Sequence, residues 1–311
     1  MEERQKSHIV SSYFAPRGHQ RMYELGMQLA QLYLSPFDKL IGIIGEAGSG
    51  KSALIRGMFP GLELTNDDDG VYVRPLPLLD QRMGLFAPHT YHVDIRFENG
   101  FTQMSRLAEA ILEALQKGKR VVVEHFDLVY PLLGVNANLL IGVGEQVLIS
   151  RPNLFGPEPA EIRDNVYESL PYRLMAHTAE DLCEFCMPEA DLVRCGHDDV
   201  RRGFVLSFYG EEPSFDVLEL EEKVKEMIRR DLPVTYVDNH HVSIGTEKHV
   251  CTGPRIHVSS TGQIKNFHLL PHFIYDRFRH RHLLVGCVGE DALENLTRLD
   301  ELQKKQRDPI L

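Results

Sequence analysis

Leu40-Ile41-Gly42-Ile43-Ile44-Gly45-Glu46-Ala47-Gly48-Ser49-Gly50-Lys51-Ser52 decides how this 311-residue chain is read. Five apolar residues run directly into Gly45–Ser52, which satisfies the phosphate-loop pattern G-x-x-x-x-G-K-[S/T] at every fixed position. The apolar run predicts a buried strand, and Lys51 to about Met58 predicts a helix, so the loop sits between the two elements the pattern needs. In such a loop the glycines let backbone N–H groups turn inward around phosphate oxygens. Lys51 neutralises the outer oxygens, the Ser52 hydroxyl joins a Mg²⁺ shell, and the helix N-terminus adds its dipole. Gly45, Glu46, Ala47, Gly48, Ser49, Gly50, Lys51 and Ser52 are therefore the expected binding residues for ATP with Mg²⁺. No stretch reads as a base-recognition motif.

Working outward, Leu25, Leu29, Leu32 and Tyr33 recur at helical spacing and predict a helix over about 19–34, stopped by Ser35-Pro36. Met104, Leu107, Ala108, Ile111, Leu112 and Leu115 mark a second amphipathic helix, ended by Gly118 and followed by the buried strand Val121-Val122-Val123. The apolar run Leu139 to Ile149 fits one more strand. This alternation implies an α/β domain with a mainly parallel sheet. Pro152, Gly156, Pro157 and Pro159 then cluster, which places a boundary between residues 1–155 and 156–311. Beyond it, helices near 170–187 and 217–230 alternate with strand candidates at 204–208, 235–244, 264–270 and 283–288, an α+β texture.

Composition narrows the class. Apolar residues at 43% and charged residues at 25% match an ordinary soluble protein. No apolar run approaches the roughly 20 residues that span a bilayer, so no membrane partner is expected. MEERQKSHIV lacks a secretory stretch, which points to a cytoplasmic protein. Five cysteines beside 15 histidines favour metal binding or free thiols over a disulfide framework. The net charge is −11, and residues 156–311 hold 19 basic against 28 acidic side chains, or −9 of it. That balance argues against a broad nucleic-acid-binding surface.

A metal-binding carboxylate is expected at the end of a neighbouring strand. Glu124, directly after the valine run, is preferred over Asp127 because it would emerge at the C-terminal edge of a parallel sheet. Thr65-Asn66-Asp67-Asp68-Asp69-Gly70 reads by default as an acidic turn. Together with Gly45–Ser52 and the strand ending in Glu124, however, residues 38–165 resemble uridine kinases and their relatives. That resemblance implies that Asp67 or Asp68 is a catalytic base, that Arg74 holds an acceptor, and that Arg151 or Arg163 serves as a lid arginine.

Cys251-Thr252-Gly253-Pro254-Arg255-Ile256-His257-Val258-Ser259-Ser260-Thr261-Gly262-Gln263-Ile264 carries a second resemblance. With His177-Thr178-Ala179-Glu180-Asp181-Leu182, it is similar to the metal-binding parts of the editing-associated domain of alanyl- and threonyl-tRNA synthetases, over about residues 170–292. The resemblance implies a Zn²⁺ site at His177, Asp181, Cys251 and His257, and a substrate of the aminoacyl-tRNA or aminoacyl-ester class. Two features depart from the family: Asp181 stands where a histidine is usual, and Arg255-Ile256 lengthens the Cys-to-His spacing. The chemistry absorbs both. Residues at i and i+4 share a helix face, and a carboxylate is a competent zinc ligand. Cys183, Cys186, Cys195 and His197 form an alternative metal set with a Cys-x-x-Cys pair.

Arg277-Phe278-Arg279-His280-Arg281-His282 is a short basic run with an interleaved aromatic, able to meet phosphates or simply to face solvent. Three functions remain open: an enzyme acting on aminoacyl esters of tRNA with nucleotide turnover in the first domain; a kinase for a nucleoside-like acceptor; and a nucleotide-switched sensor of charged tRNA.

Overall fold

Ile41 and Ile43 point to one side of strand β2 (Leu40–Ile44), Leu40 and Ile44 to the other, and all four are buried. A strand apolar on both sides needs cover on both, and the chain supplies it with helices. In the computed structural model, residues 10–66, 76–79 and 88–307 are described. They fall into two units, Met1–Ser169 and Leu170–Leu311.

The first unit holds β1 (Val10–Phe14), α1 (His19–Tyr33), β2, α2 (Lys51–Met58), β3 (Thr90–Asp94), α3 (Ile95–Glu98), α4 (Met104–Gln116), β4 (Arg120–Glu124), α5 (Phe126–Leu133), β5 (Leu139–Val143), β6 (Gln146–Ser150) and the start of α6 (Pro159–Cys186). Its six-stranded sheet runs β1-β6-β5-β2-β4-β3. The four strands β5, β2, β4 and β3 are parallel, while β6 and β1 add antiparallel. Leu25, Leu29, Leu54 and Ile55 of α1 and α2 cover one face with Ile41, Ile43 and Val122. Leu107, Ile111, Phe126 and Val129 of α4 and α5 cover the other with Leu40, Val121 and Val123.

Two expectations are corrected here. The run 139–149 is not one strand but a hairpin, because the chain reverses at Gly144-Glu145, where the Gly144 N–H donates to the Gln146 carbonyl at 3.0 Å. The division between units lies at Ser169, not at 155, because Ile162 and Val166 of α6 are buried in the first unit's core.

In the second unit α6 continues, followed by α7 (Glu189–Leu192), β7 (Cys195–Val200), β8 (Gly203–Tyr209), α8 (Val217–Arg229), β9 (Val234–Asp238), β10 (His241–Ile244), β11 (Glu247–Val250), β12 (His268–Leu269), β13 (Ile274–Asp276), β14 (Arg281–Cys287) and α9 (Ala292–Arg307). An antiparallel sheet runs β12-β14-β8-β7 with β13 also on β14, and a separate three-stranded sheet runs β11-β10-β9. Alternation along β8 divides its side chains. Phe204, Leu206 and Phe208 pack with α6 and α8, while Val205 packs with Ala292 and Leu296 of α9. The strand expected over 264–270 shrinks to His268–Leu269, since Asn266 takes a left-handed φ of 48° that interrupts the extended backbone just before it.

α1 and α2 approach until their backbones touch. A Cβ at Gly57 would lie 2.0 Å from the Tyr23 carbonyl oxygen, and one at Gly26 would lie 2.3 Å from that of Leu54. Backbone cannot yield as a flexible side chain does, so Gly57→Ala is expected to lower stability by about 1–3 kcal/mol despite alanine's better helix propensity. Urea unfolding measures it; an unchanged or raised midpoint contradicts this helix contact.

Candidate functional site

The parallel register gathers chemistry at one edge of the first sheet. β3 pairs with β4 so that Asp94 lies opposite Glu124, and β4 pairs with β2 so that Glu124 lies opposite Ile43. All three strands end there, and the glycine loop leaves from the end of β2. Gly48 and Gly50 take left-handed backbone angles, φ 76° and 91°, that favour glycine. The buried Lys51 ammonium donates to the Glu46 carbonyl at 3.0 Å and lies 3.6 Å from a Glu124 carboxylate oxygen. Arg96 of α3 binds the Glu46 carboxylate and reaches the Tyr167 hydroxyl at 3.2 Å. Ser52 occupies the first turn of α2, half-buried.

Glu124 is buried, and its other oxygen meets His92 Nε2 at 3.0 Å. Burial alone would raise its pKa, but the His92 hydrogen bond and the Lys51 charge outweigh that and hold it below the ordinary carboxylate value. The next residue, His125, adopts φ 55° and is buried; desolvation first and Lys51 second push its pKa down to about 4, so it is neutral near pH 7. Asp94 caps α3 by accepting from Phe97 N–H at 3.1 Å and accepts from Asn66 Nδ2 at 2.9 Å. Asp94, Glu124 and His125 each offer one ligand atom within 4.8 Å of the others, a set that could hold a divalent cation beside the loop.

Asp94, His92 and His125 are not among the residues picked from sequence. The available signal was the alternation Tyr91-His92-Val93 running into Asp94, an aspartate placed both at a strand end and at a helix N-cap. Asp67, Asp68, Asp69 and Arg74 lie outside the described residues. Arg151 does not reach this edge: it binds Asp38 at 2.6 Å, before β2 begins, at the opposite end of the sheet. Arg163 pairs with Asp164 at 2.7 Å on the surface.

The second unit assembles a different cluster. His177 and Asp181 project from one face of α6, and Cys251 and His257 come from the loop after β11. Cys251 Sγ lies 3.4 Å from His177 Nε2 and 3.3 Å from His257 Nε2. Asp181 lies 3.5 Å from His257 Nε2 and 3.8 Å from His177 Nδ1. One ligand atom from each of the four falls within 4.8 Å of the rest. The imidazoles stack with centroids 4.5 Å apart.

Thr178 sets the orientation of His257. Its hydroxyl donates to the Leu174 carbonyl at 2.9 Å and accepts from Val258 N–H at 3.1 Å. With that proton committed, His257 Nδ1 at 3.2 Å is the donor, which leaves the Nε2 lone pair facing Cys251 and Asp181. The lengthened Cys-to-His spacing is taken up by a turn in which Ile256 N–H donates to the Gly253 carbonyl at 2.9 Å, while Arg255 lies over the Tyr236 ring at 4.0 Å. Burial pushes the Cys251 thiol well up, and burial followed by the His177 charge holds His257 well down. A bound zinc ion would reverse the thiol's preference and keep it as thiolate. Two imidazoles, a thiol and a carboxylate fit zinc by donor type.

The alternative set does not gather. Cys183 is buried in the core, Cys186 Sγ meets Met227 Sδ at 3.6 Å, and His197 turns to Glu180 at 3.4 Å and Glu184 at 3.1 Å. Glu180 also meets His177 Nδ1 at 3.4 Å, so this carboxylate stands between the cluster and the half-exposed His197.

Burial, opposed in part by His197, pushes the Glu184 pKa up to about 7. A folded pKa above the unfolded one stabilises the fold at low pH, and that contribution is lost as pH rises through about 7. Glu184→Gln is therefore expected to be more stable than the parent at pH 8.5, by up to about 3 kcal/mol, and nearly alike at pH 4. A difference independent of pH in thermal melts contradicts this.

No protein-family model matches the chain, and no curated protein matches it. Among solved structures, an aminotransferase from Eubacterium rectale is similar over 73% of this chain and 65% of that one, with 12% identity and a TM-score of 0.23. A likeness at that score carries no argument about fold or chemistry.

Proposed function

We propose that the chain is an ATP-binding protein whose second unit acts on aminoacyl-tRNA, or a smaller aminoacyl ester, at a zinc site. The observation that carries this reading is the convergence of His177, Asp181, Cys251 and His257 from a helix and a distant loop. It is the set implied by the likeness to alanyl- and threonyl-tRNA synthetase editing domains, with its one substituted ligand in place. Zinc bound there would supply a Lewis acid to polarise a carbonyl or a water.

The chain's own residues divide the remaining work. Cys251, His177 and His257 would hold zinc by their softer donors, and Asp181 would supply the one hard oxygen ligand of the set. Thr178 fixes the ring of His257, and Glu180 stands behind His177 as an outer carboxylate. In the first unit the glycine loop and Lys51 would cradle the triphosphate, and Glu124 with Asp94 would face its metal ion.

A kinase reading is favoured by one specific observation: Asp94 ends the strand beside Glu124, where a hydroxyl acceptor could lose its proton. Under it, Asp94→Asn abolishes phosphoryl transfer to nucleoside-like acceptors while ATP still binds. Turnover that survives in Asp94→Asn removes this reading.

For the principal reading, the zinc-loaded chain is expected to deacylate alanyl- or threonyl-tRNA well above the spontaneous rate, and Cys251→Ser to return the rate to background. Charged tRNA left intact with and without ATP contradicts it. Lys51→Ala is expected to weaken ATP binding by about 30-fold, the loss of one charge-assisted contact of about 2 kcal/mol. Calorimetry reads this directly, and unchanged affinity would remove the loop from the site.

A further inference from the structure

The hairpin β13–β14 carries the basic run at its tip. Its register is Ile274↔Leu283, Tyr275↔His282 and Asp276↔Arg281, which leaves Arg277, Phe278, Arg279 and His280 as the turn. The turn is held from below. The Asp276 carboxylate accepts from Phe278 N–H at 3.0 Å and Arg279 N–H at 3.2 Å, and Arg281 binds Asp198 at 2.8 Å. Arg281 is thereby engaged within the fold.

The tip itself is left over. Phe278 is 98% exposed, so its ring adds nothing to the core. Arg277 and Arg279 on either side are exposed and make no ion pair among the described residues, in a chain whose net charge is −11. An acidic protein offers many carboxylates to a surface arginine, yet these two, directly before and after Phe278 in the turn, take none among the described residues. Tyr275, 45% exposed, holds His280 through its hydroxyl at 3.2 Å and adds a second aromatic below the tip.

From this geometry we infer that the β13–β14 tip is a contact for a single-stranded nucleic acid, with Phe278 stacking on an unpaired base and Arg277 and Arg279 meeting the flanking phosphates. A phenyl on a fixed turn suits a base with a free face, which a duplex does not present. Guanidiniums one residue to each side suit a backbone running past that base. The inference rests on the aminoacyl-ester reading only for the strand's identity, an unpaired RNA end.

Fluorescence anisotropy of the full chain with a labelled, unstructured RNA oligonucleotide tests the tip. The oligonucleotide carries no ester, so the result is independent of whether the zinc site hydrolyses anything. Binding at about 50 mM salt that weakens steeply toward 200 mM is expected. Phe278→Ala should weaken it about tenfold and Phe278→Trp should preserve it. Arg277→Ser and Arg279→Ser should each lower the slope of log K against log salt by about 0.7. Thermal melts of all four variants should match the parent, since none of the side chains is packed. Equal RNA binding by parent and Phe278→Ala overturns the inference. So does an absence of RNA binding, or a loss in these variants confined to vesicles of anionic lipid.

Discussion

A thiol, two imidazoles and a carboxylate face one another in the second unit, with one ligand atom of each within 4.8 Å of the rest. His177 and Cys251, 74 residues apart in sequence, meet at 3.4 Å, and His257 and Asp181 complete the group. Withdrawing four such groups from water is costly, and burial raises the thiol while holding the imidazole of His257 neutral. Much of the surrounding architecture reads as the means of holding this group. Thr178 ties the loop to α6, the Cys251 N–H donates to the His240 carbonyl at 2.8 Å, and the antiparallel sheet backs the helix with Phe204, Leu206 and Phe208.

The first unit solves a comparable problem with charge. Parallel strands ending together place Lys51, Glu124 and Asp94 at one edge, and Glu124 keeps its charge in a buried place because Lys51 and His92 are beside it. The loop's own Glu46 is engaged by Arg96, whose guanidinium holds the Glu46 carboxyl below its ordinary pKa. The two units gather different donor groups, a lysine with carboxylates and histidines in the first and a thiol, two imidazoles and a carboxylate in the second.

The parts legible in the sequence were those with a local period or a local motif. Leu25, Leu29 and the Met104–Leu115 stripe repeat at helical spacing and are α1 and α4, and Gly45–Ser52 turns between a strand and a helix. His177 and Asp181 were paired through the likeness to synthetase editing domains, and four residues do bring a helix back to the same face. What escaped is what depends on distant partners. Thr90–Asp94 is a strand because β4 offers it an edge, so Asp94 stayed hidden. The run 139–149 folds back because β1 and β6 extend the sheet antiparallel, which no local apolar count reveals. Arg151 looked like a lid residue but answers Asp38, 113 positions away.

X-ray absorption at the zinc edge of the purified, zinc-loaded chain tests the central claim most directly. The account predicts one zinc per chain with a single sulfur near about 2.3 Å and nitrogen or oxygen donors near about 2.0–2.1 Å. The sulfur should disappear in Cys251→Ser. A shell with two or three sulfurs, or a chain that retains no zinc at all, would contradict the assignment of His177, Asp181, Cys251 and His257 as one site.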